Sequence, residues 1–311
     1  MKNSIEKNMA YRVQVGDSIQ GKWNGNRYVV KSHLGSGAIG DVYLVQGDKG
    51  LAALKISTNN TSITSEVNVF RSFSKVRGCS LGPYLLDVDD WIHPATRMLV
   101  SFYVMEYIEG INLYSFVQQR GEEWVPLLIL QLLEDLEVLH QSGFVFGDLK
   151  PENLIVTEGT CRVRLLDVGG VTMKGRAIKE FTEFFDRGYW GIGTRKAEPS
   201  YDLFAVVMLM IAICYKGTYS KREGGYVQLE KLIQNHSLLR KVEKVLLEAV
   251  RGNYQSAIKM REELLRVVGR QINRKQGVLK KDIQSYGWRE VFLVCSATVI
   301  GYMLYMNYVW L

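Results

Sequence analysis

The chain has 311 residues, with 39 lysines and arginines against 32 aspartates and glutamates, so its formal net charge is +7. This length can bury a substantial core and fits one large domain or two average ones. The four cysteines are far apart without a C-x-x-C pair, and the first twenty residues lack an apolar run. We therefore expect no disulfide framework, no paired-cysteine zinc site, no secretory leader, and a reducing compartment.

Positive charge is concentrated near the C-terminus. Residues 266–289 hold seven basic residues and one acidic residue (7 − 1 = +6), which leaves 32 basic and 31 acidic residues, or +1, for the rest of the chain. This basic segment predicts contact with DNA or anionic lipid through Arg266, Arg270, Arg274, Lys275, Lys280 and Lys281. Basic residues are equally typical beside a membrane span, so both interpretations stay open.

Residues 291–311 contain no charged residue and predict a membrane-spanning helix. Twenty-one residues at 1.5 Å each cover about 31 Å, which matches the ~30 Å hydrocarbon core of a bilayer. By the positive-inside rule, the preceding basic residues predict that residues 1–289 stay in the cytoplasm. The alternative is a buried core helix. Ala297 and Gly301 form a weak small-residue pair that would bring two such helices together as a homodimer.

The N-terminal part of the chain has the pattern of a sheet. Residues 18–30 alternate around Asn24-Gly25, which predicts a hairpin with a two-residue turn. A G-x-G-x-x-G motif follows, formed by Gly35, Gly37 and Gly40. It precedes the strand-like segment DVYLVQ rather than a helix, which favours a glycine-rich turn whose backbone N–H groups approach phosphates. The alternative is a glycine-rich hairpin without a ligand.

Lys55 lies in an apolar, strand-like run, LAALKIS. Such a strand buries at least one face, and a buried ammonium group is costly without an anion beside it. The next carboxylate is Glu66, in a segment whose apolar residues recur at helical spacing. We therefore predict an ion pair between a strand lysine and a helix glutamate. The alternative is an edge-strand lysine that reaches water.

Residues 144–156, FVFGDLKPENLIV, place Asp148, Lys150 and Asn153 on a loop between two apolar runs. Phosphoryl transfer requires such groups: a carboxylate that orients a hydroxyl, a cation that offsets phosphate charge, and an amide oxygen for Mg²⁺. The apolar pattern over 122–140 predicts a long, buried helix directly before this loop. Taken alone, the motif is equally consistent with a polar surface turn.

Three features follow this loop. Asp167 ends an apolar strand and precedes two glycines, and Asp202 stands near the start of an apolar helix predicted over 200–215. Between them, residues 171–196 carry six basic residues without a clear apolar period and predict a long loop. Long loops inside domains are usually functional, although a merely solvated loop is the alternative. Helical patterns at 228–234, 237–250 and 255–268 complete an α-rich part.

Over residues 27–268 these features, in this order, resemble the Hanks-type bacterial Ser/Thr protein kinases. The segments FGDLKPENLIV and KWNGN and the apolar C-terminus are similar to those of YabT-type, membrane-anchored sporulation kinases of spore-forming bacilli. The resemblance implies an α+β, bilobal protein-kinase fold, with a β-rich N-lobe and an α-rich C-lobe, followed by a C-terminal transmembrane helix. It implies an N-terminal extension with the first hairpin strand, a kinase domain, a basic juxtamembrane linker and a transmembrane helix, at residues 1–26, 27–268, 269–289 and 290–311.

The resemblance also implies activities and partners. We expect a single-pass membrane kinase with a cytoplasmic kinase domain, which uses ATP and Mg²⁺ or Mn²⁺, phosphorylates Ser or Thr of protein substrates, phosphorylates itself, and is stimulated by DNA. Implied catalytic residues are Asp148 and Lys150, and implied metal ligands are Asn153 and Asp167. Asp202 would support the catalytic loop, and Thr182 would meet the substrate hydroxyl. The implied ATP-binding residues are Gly35, Ser36, Gly37, Ala38, Gly40, Val42, Ala53, Lys55, Glu66, Met105, Glu106, Ile108 and Ile155, with Met105 as gatekeeper.

The resemblance implies that residues 171–196 are an activation and substrate-docking segment, and two departures from the family pattern concern it. Phe146-Gly147-Asp148 stands where most kinases have H-R-D, so the arginine that pairs with an activation-loop phosphate is missing. We therefore do not expect switching by that pairing. The A-P-E motif is also absent at its usual distance before Asp202.

Three other functions compete with a protein kinase. A small-molecule kinase shares the G-D motif but usually lacks a lysine at the position of Lys150. A pseudokinase would need a broken metal or lysine position, and none is broken in this sequence. A membrane-tethered scaffold that binds DNA or anionic lipid would use residues 266–289 as its functional part.

Overall fold

The computed structural model describes residues 11, 13–37, 40–73, 82–222 and 224–270. The expectations for Ala38, for the apolar segment 291–311, and for the basic residues Arg274, Lys275, Lys280 and Lys281 lie outside the described residues. The chain divides into two compact units, 1–262 and 263–311. Within the described ranges, no helix has the length and apolar character needed to cross a membrane.

The N-terminal lobe is built on a six-stranded antiparallel sheet with the order β1-β2-β3-β4-β6-β5. One helix, α1, follows β4. These elements span Ser18–Gln20 (β1), Arg27–Ser36 (β2), Asp41–Gly47 (β3), Gly50–Ser57 (β4), Asn60–Phe73 (α1), Leu85–Ile92 (β5) and Leu99–Glu106 (β6). The strands form because apolar residues alternate along them, as in β3, and their inward side chains make one core that includes Ile19, Val45, Leu54 and Phe102.

The predicted hairpin exists, but its two-residue turn is wrong. Residues 21–26 connect β1 to β2, and Gly25 has a positive φ of 73°. The longer connection is stabilised from β5, where the carboxylate of Asp89 accepts hydrogen bonds from the backbone N–H groups of Trp23 and Asn24. Asp89 is more than sixty positions away in the sequence, which explains why the local Asn24-Gly25 pair predicted the wrong length for the turn.

The C-terminal lobe is mainly helical and carries two small sheets, β10-β9-β7 and β11-β8. Helix α5 is its centre, because 15 of its 17 residues are buried. The elements span Gly110–Asn112 (β7), Leu113–Arg120 (α2), Val125–Gln141 (α3), Phe144–Val145 (β8), Leu154–Thr157 (β9), Val163–Leu165 (β10), Thr172–Met173 (β11), Arg187–Trp190 (α4), Pro199–Tyr215 (α5), Gly225–Asn235 (α6), Ser237–Arg240 (α7), Glu243–Val250 (α8) and 257–270 (α9). Three short 3₁₀ turns cover Glu122–Trp124, Pro151–Asn153 and Glu183–Phe185.

Two sequence predictions for this lobe need correction. The helix predicted over 237–250 is divided into α7 and α8, since the chain leaves the helical path at Val242. The segment 171–196 is more ordered than the predicted loop: it contains β11, α4 and an antiparallel bridge between Ala177 and Lys196. Its hydrogen bonds join residues about twenty positions apart, which a search for local periodicity does not detect.

Candidate active site

Lys55 and Glu66 meet between the sheet and α1. The Lys55 ammonium lies 2.8 Å from Oε2 of Glu66, and both side chains are buried. The hydroxyl of Tyr103, on β6, donates to the same carboxylate oxygen at 2.5 Å. Asp167 Oδ2 lies 3.7 Å from the ammonium. Burial alone would lower the pKa of Lys55, but Asp167 and Glu66 outweigh it and raise this pKa, so the lysine stays charged.

The glycine-rich turn lies between β2 and β3, as predicted. Gly35 pairs with Val42 across these strands, and Val42 pairs in turn with Lys55 on β4, so the register places the turn above the lysine. The hydroxyl of Ser36 donates to Asp41 at 2.6 Å and joins the two sides of the turn. A Cβ added to Gly35 would meet no described atom within 4 Å. The described part of the turn is thus not crowded at Gly35.

The loop after β8 brings three predicted residues together. Oδ2 of Asp148 accepts a hydrogen bond from Lys150 Nζ at 2.6 Å, and Asn153 Nδ2 donates to the backbone carbonyl of Asp148 at 3.0 Å. The 3₁₀ turn over Pro151–Asn153 turns the asparagine back towards the aspartate. Thr182 Oγ1 lies 3.3 Å from the other carboxylate oxygen, Oδ1. The threonine of the activation segment is thus at the position where a substrate hydroxyl would be oriented.

Asp202 stabilises the backbone of the loop that carries Asp148. Its carboxylate is fully buried and accepts hydrogen bonds from the backbone N–H groups of Phe146 and Gly147, at 2.7 and 2.9 Å. His140 Nε2 lies 2.8 Å from Oδ2. A buried carboxylate without these partners would be strongly destabilising, so the arrangement holds the backbone at Asp148 firmly.

The activation segment is anchored by buried charges that sequence reasoning missed. Arg187 donates to Glu198 at 2.6 Å, to Ser200 and to the carbonyl of Thr194. Asp186 caps α4 and pairs with Arg195 at 2.7 Å. The acidic partner of Arg187, Glu198, belongs to the sequence Ala197-Glu198-Pro199 directly before Ser200.

The connection between the lobes holds the predicted hinge residues. Met105 and Ile108 are buried, and Ala53 pairs with Met105 across β4 and β6. The carboxylate of Glu106 is bound by both terminal nitrogens of Arg164, at 2.7 and 3.1 Å. Arg164 was not predicted. It links the hinge to β10, the strand that leads to Asp167.

These residues fit ATP with a divalent cation. Asp167 is half-exposed, and the amide nitrogen of Asn153 is already used for hydrogen bonds to Asp148, which leaves its carbonyl oxygen as a ligand. Mg²⁺ and Mn²⁺ prefer such oxygen donors. Ile108 follows the end of β6, and its backbone groups have no partner within the described ranges, so they can bind an adenine edge. Val42 is half-buried, and Ala53 and Ile155 are buried, as apolar residues beside an adenine ring would be.

A further carboxylate beside the site, that of Glu180, was not predicted. Its Oε2 lies 3.6 Å from the position that a Cβ on Gly169 would take, so it faces the glycines that follow Asp167. Burial and then the nearby Asp167, Glu66 and Asp148 raise the pKa of Glu180. No sequence pattern identifies Glu180 as a site residue, because a glutamate in a basic segment has no distinctive spacing.

Comparisons with known proteins agree with this geometry. Residues 28–276 match the protein kinase domain model. The chain is 50% identical to the serine/threonine-protein kinase YabT of Bacillus subtilis (strain 168) over 278 residues, which are 89% of this chain and 82% of that protein. It is 29% identical over 172 residues to the probable serine/threonine-protein kinase YbdM of the same organism, covering 54% of this chain and 60% of that protein.

A solved structure, that of vaccinia related kinase 3, shares the fold with a TM-score of 0.62 at 16% identity, over 86% of this chain and 95% of that one. At this identity the likeness concerns the fold alone. The family match, however, covers most of the chain, and the identity to YabT extends over nearly all of it. The chain therefore belongs to the protein kinase family, as a serine/threonine protein kinase of the bacterial Hanks type.

Proposed function

We propose that this kinase transfers the γ-phosphate of ATP, with Mg²⁺ or Mn²⁺, to serine or threonine hydroxyls of proteins and of itself. The observation that carries the proposal is the convergence of two groups from different lobes: Lys55, held by Glu66, lies 3.7 Å from Asp167. Two such groups at this separation can share one nucleotide. A chain that only tethered other proteins would not need to bury the Lys55–Glu66 ion pair, because the desolvation of buried charges is unfavourable.

In the proposed mechanism each side chain has one role. Lys55 binds the α- and β-phosphates, and the backbone of the glycine-rich turn covers them. Asp167 and Asn153 hold the cation, which offsets phosphate charge when it is bound. Asp148 orients the substrate hydroxyl and accepts its proton, and Lys150 offsets the charge that develops as the phosphoryl group transfers.

Phosphate incorporation tests the proposal. The full-length chain, incubated with Mg²⁺ and γ-labelled ATP, should label itself and a protein substrate, and mass spectrometry should locate the label on Ser or Thr. Asp148→Asn removes the proton acceptor but keeps the size of the side chain, and we expect turnover to fall by at least about 100-fold. Near-wild-type turnover in this variant would remove the assignment. ATP binding without any transfer by the wild type would favour a pseudokinase.

We further propose that residues 291–311 anchor the kinase in a membrane, with the kinase domain on the cytoplasmic side. The support is the uncharged run of 21 residues behind a basic segment. The full-length chain should stay with membranes during alkaline carbonate extraction, while a chain ending at residue 289 should not. Extraction of the full-length chain into the supernatant would overturn the anchor.

Stimulation by DNA through residues 266–289 is a separate proposal, supported by their charge of +6. If these residues neutralise DNA phosphates, binding should weaken steeply with salt, by about 0.9 log units per log unit of salt for each phosphate contacted. Salt-insensitive binding, or no effect of DNA on phosphate incorporation, would leave the segment as the flank of the membrane anchor. Anionic vesicles in place of DNA distinguish the lipid alternative.

A further inference from the structure

The activation segment folds back on itself as a short antiparallel ladder. Residues 175–178 pair with residues 195–197 through three backbone hydrogen bonds of 2.7 to 2.8 Å, with Ala177 opposite Lys196. The inner side of the ladder consists of Ile178 and Ala197, which are buried in a core cluster with Val145 and Tyr201. The inner side chains fix the ladder against the lobe, so its outer side chains hold defined positions.

Four exposed cations border this ladder, and we call them the ladder surface: Lys174, Arg176, Lys179 and Lys196. None of their side chains makes a hydrogen bond or ion pair with another residue in the part of the chain that the structure describes. The other two cations of the segment differ, since Arg187 and Arg195 are paired with Glu198 and Asp186. The ladder surface therefore carries positive charge that the fold itself does not use.

The acidic residues of the segment neutralise this charge only in part. Asp186 is buried and Glu198 is paired with Arg187. The carboxylate of Glu180 lies beside Gly169, on the side of the nucleotide pocket. Glu180 and Glu183 are the exposed acids of the segment, and Glu183 stands at the start of a 3₁₀ turn. Four cations of the ladder surface against these two acids leave a net charge of +2 (4 − 2), so the potential there is positive.

The ladder surface is also close to the reaction centre. Ile178 packs directly under the residue before Asp148, because its Cδ1 lies 3.3 Å from where a Cβ of Gly147 would be. Thr182, four residues further along, lies 3.3 Å from Asp148. The two residues on either side of Lys179 in this stretch, Ile178 and Thr182, thus lie at the catalytic aspartate, and a protein chain whose hydroxyl reaches Asp148 would approach this part of the segment.

We propose that the ladder surface binds an acidic stretch of the protein substrate next to the phosphorylated serine or threonine. The proposal rests on the kinase function above and adds the class of substrate. Its position beside Asp148 favours a peptide over DNA or lipid, because only a substrate must cross this segment. Exposed ion pairs each change affinity modestly, by a factor of about 1.5 to 5, so four of them can produce a clear preference.

The test compares two peptides with one serine, flanked on both sides either by Asp and Glu or by Asn and Gln. For the full-length wild type, kcat/KM should be at least about tenfold higher for the acidic peptide, mainly through a lower KM. Raising salt from about 0.1 M to about 1 M, which shortens the screening length from about 10 to about 3 Å, should remove most of this preference.

The test variant replaces all four cations by glutamine, as Lys174→Gln, Arg176→Gln, Lys179→Gln and Lys196→Gln. Its ratio of acidic to neutral kcat/KM should fall to near one; using the ratio corrects for any loss of folded protein. A matched control removes four exposed cations elsewhere, as Lys31→Gln, Lys49→Gln, Lys231→Gln and Lys244→Gln. The control should keep the wild-type ratio.

Several results would overturn the proposal. A wild type that phosphorylates both peptides equally, or that labels itself but neither peptide, removes the acidic preference while the kinase function stands, whereas no transfer to the peptides or to itself overturns both. A test variant that keeps the preference moves the recognition elsewhere, and equal losses in test and control variants assign the effect to net charge. A test variant that loses only binding to DNA or anionic vesicles, with its peptide preference intact, would assign the ladder surface to those partners instead.

Discussion

Gly147 and Gly170 approach so closely that a Cβ on Gly147 would lie 2.7 Å from the carbonyl oxygen of Gly170. Gly147 also has a φ of 85°, which side chains other than glycine rarely tolerate. Most related kinases have arginine at this position. Here, the space is filled by Gly170 and Ile178, so the activation segment packs directly on the catalytic loop.

Gly147→Ala tests this packing. The variant combines backbone strain with a clash against Gly170, so we expect a loss of about 1 to 3 kcal/mol in the free energy of unfolding. The displaced Asp148 should reduce kcat by about 100-fold. Gly143→Ala is the matched control, because its φ is 88° but its Cβ would meet no described atom within 4 Å. Equal kcat values for the two variants, measured after correction for folded fraction, would contradict the packing argument.

Replacing Asp202 should lower the free energy of unfolding. Asp202→Ala leaves the N–H groups of Phe146 and Gly147 buried without acceptors, and each such group costs about 1 to 3 kcal/mol. Urea unfolding should therefore show a loss of about 3 kcal/mol. Asp202→Asn keeps one acceptor oxygen and should fall between the wild type and Asp202→Ala. Unchanged stability in Asp202→Ala would mean that the catalytic loop does not depend on this carboxylate.

The ion pair of Lys55 should control nucleotide binding. Glu66→Gln removes the charge that holds Lys55, so we expect the KM for ATP to rise by about tenfold or more. Tyr103→Phe removes only the hydroxyl that donates to Glu66, and its effect should be clearly smaller. Steady-state kinetics with varied ATP measures both. A KM for ATP that rises as strongly in Tyr103→Phe as in Glu66→Gln would contradict this role of the ion pair.

Asp135 gives a prediction for pH. Burial raises the pKa of this carboxyl to about 6 from 3.8, because Arg162, 3.7 Å away, offsets only part of the cost of burial. A raised carboxyl pKa means that the folded state favours the protonated form, so stability declines as pH rises from about 4 to about 6. Asp135→Asn should be neutral near pH 4 and stabilising by about 1 to 2 kcal/mol at pH 7.

Thermal unfolding at several pH values measures this difference. The Asp135 carboxylate also has one oxygen without a partner in the described part of the chain, which adds to the cost of its charge. Arg162→Gln is a useful comparison, since it removes the partial compensation and should make the wild-type carboxyl more destabilising at pH 7. A stability gain of Asp135→Asn that stays constant from pH 4 to pH 8 would contradict the raised pKa.

The sequence predicted those parts of the site that depend on local order along the chain. Lys55 lies in an apolar strand, Asp148 and Asp167 each follow one, and the pattern of such strands is visible without a structure. Glycine spacing likewise located the turn between β2 and β3. The positions of these residues were predictable because each one is fixed by the strand or turn in which it lies or which it follows.

Contacts between distant segments were not predictable in this way. Arg164 binds Glu106 across 58 positions, and Tyr103 donates to Glu66 across 37. Arg187 pairs with Glu198, eleven positions further along the chain. Each of these depends on packing that brings unrelated segments together, so no local pattern indicates it. The six-residue connection between β1 and β2 was mispredicted for the same reason, since Asp89 on β5 determines its length.

Equilibrium binding of ATP, measured by calorimetry on the full-length chain with and without Mg²⁺, tests the central claim most directly. If Lys55 and Asp167 share one nucleotide, Lys55→Met and Asp167→Asn should each weaken Mg²⁺-dependent binding by about tenfold or more, while Asp148→Asn should keep the wild-type affinity and lose phosphate transfer. Wild-type affinity in both Lys55→Met and Asp167→Asn would contradict a single ATP site between the lobes.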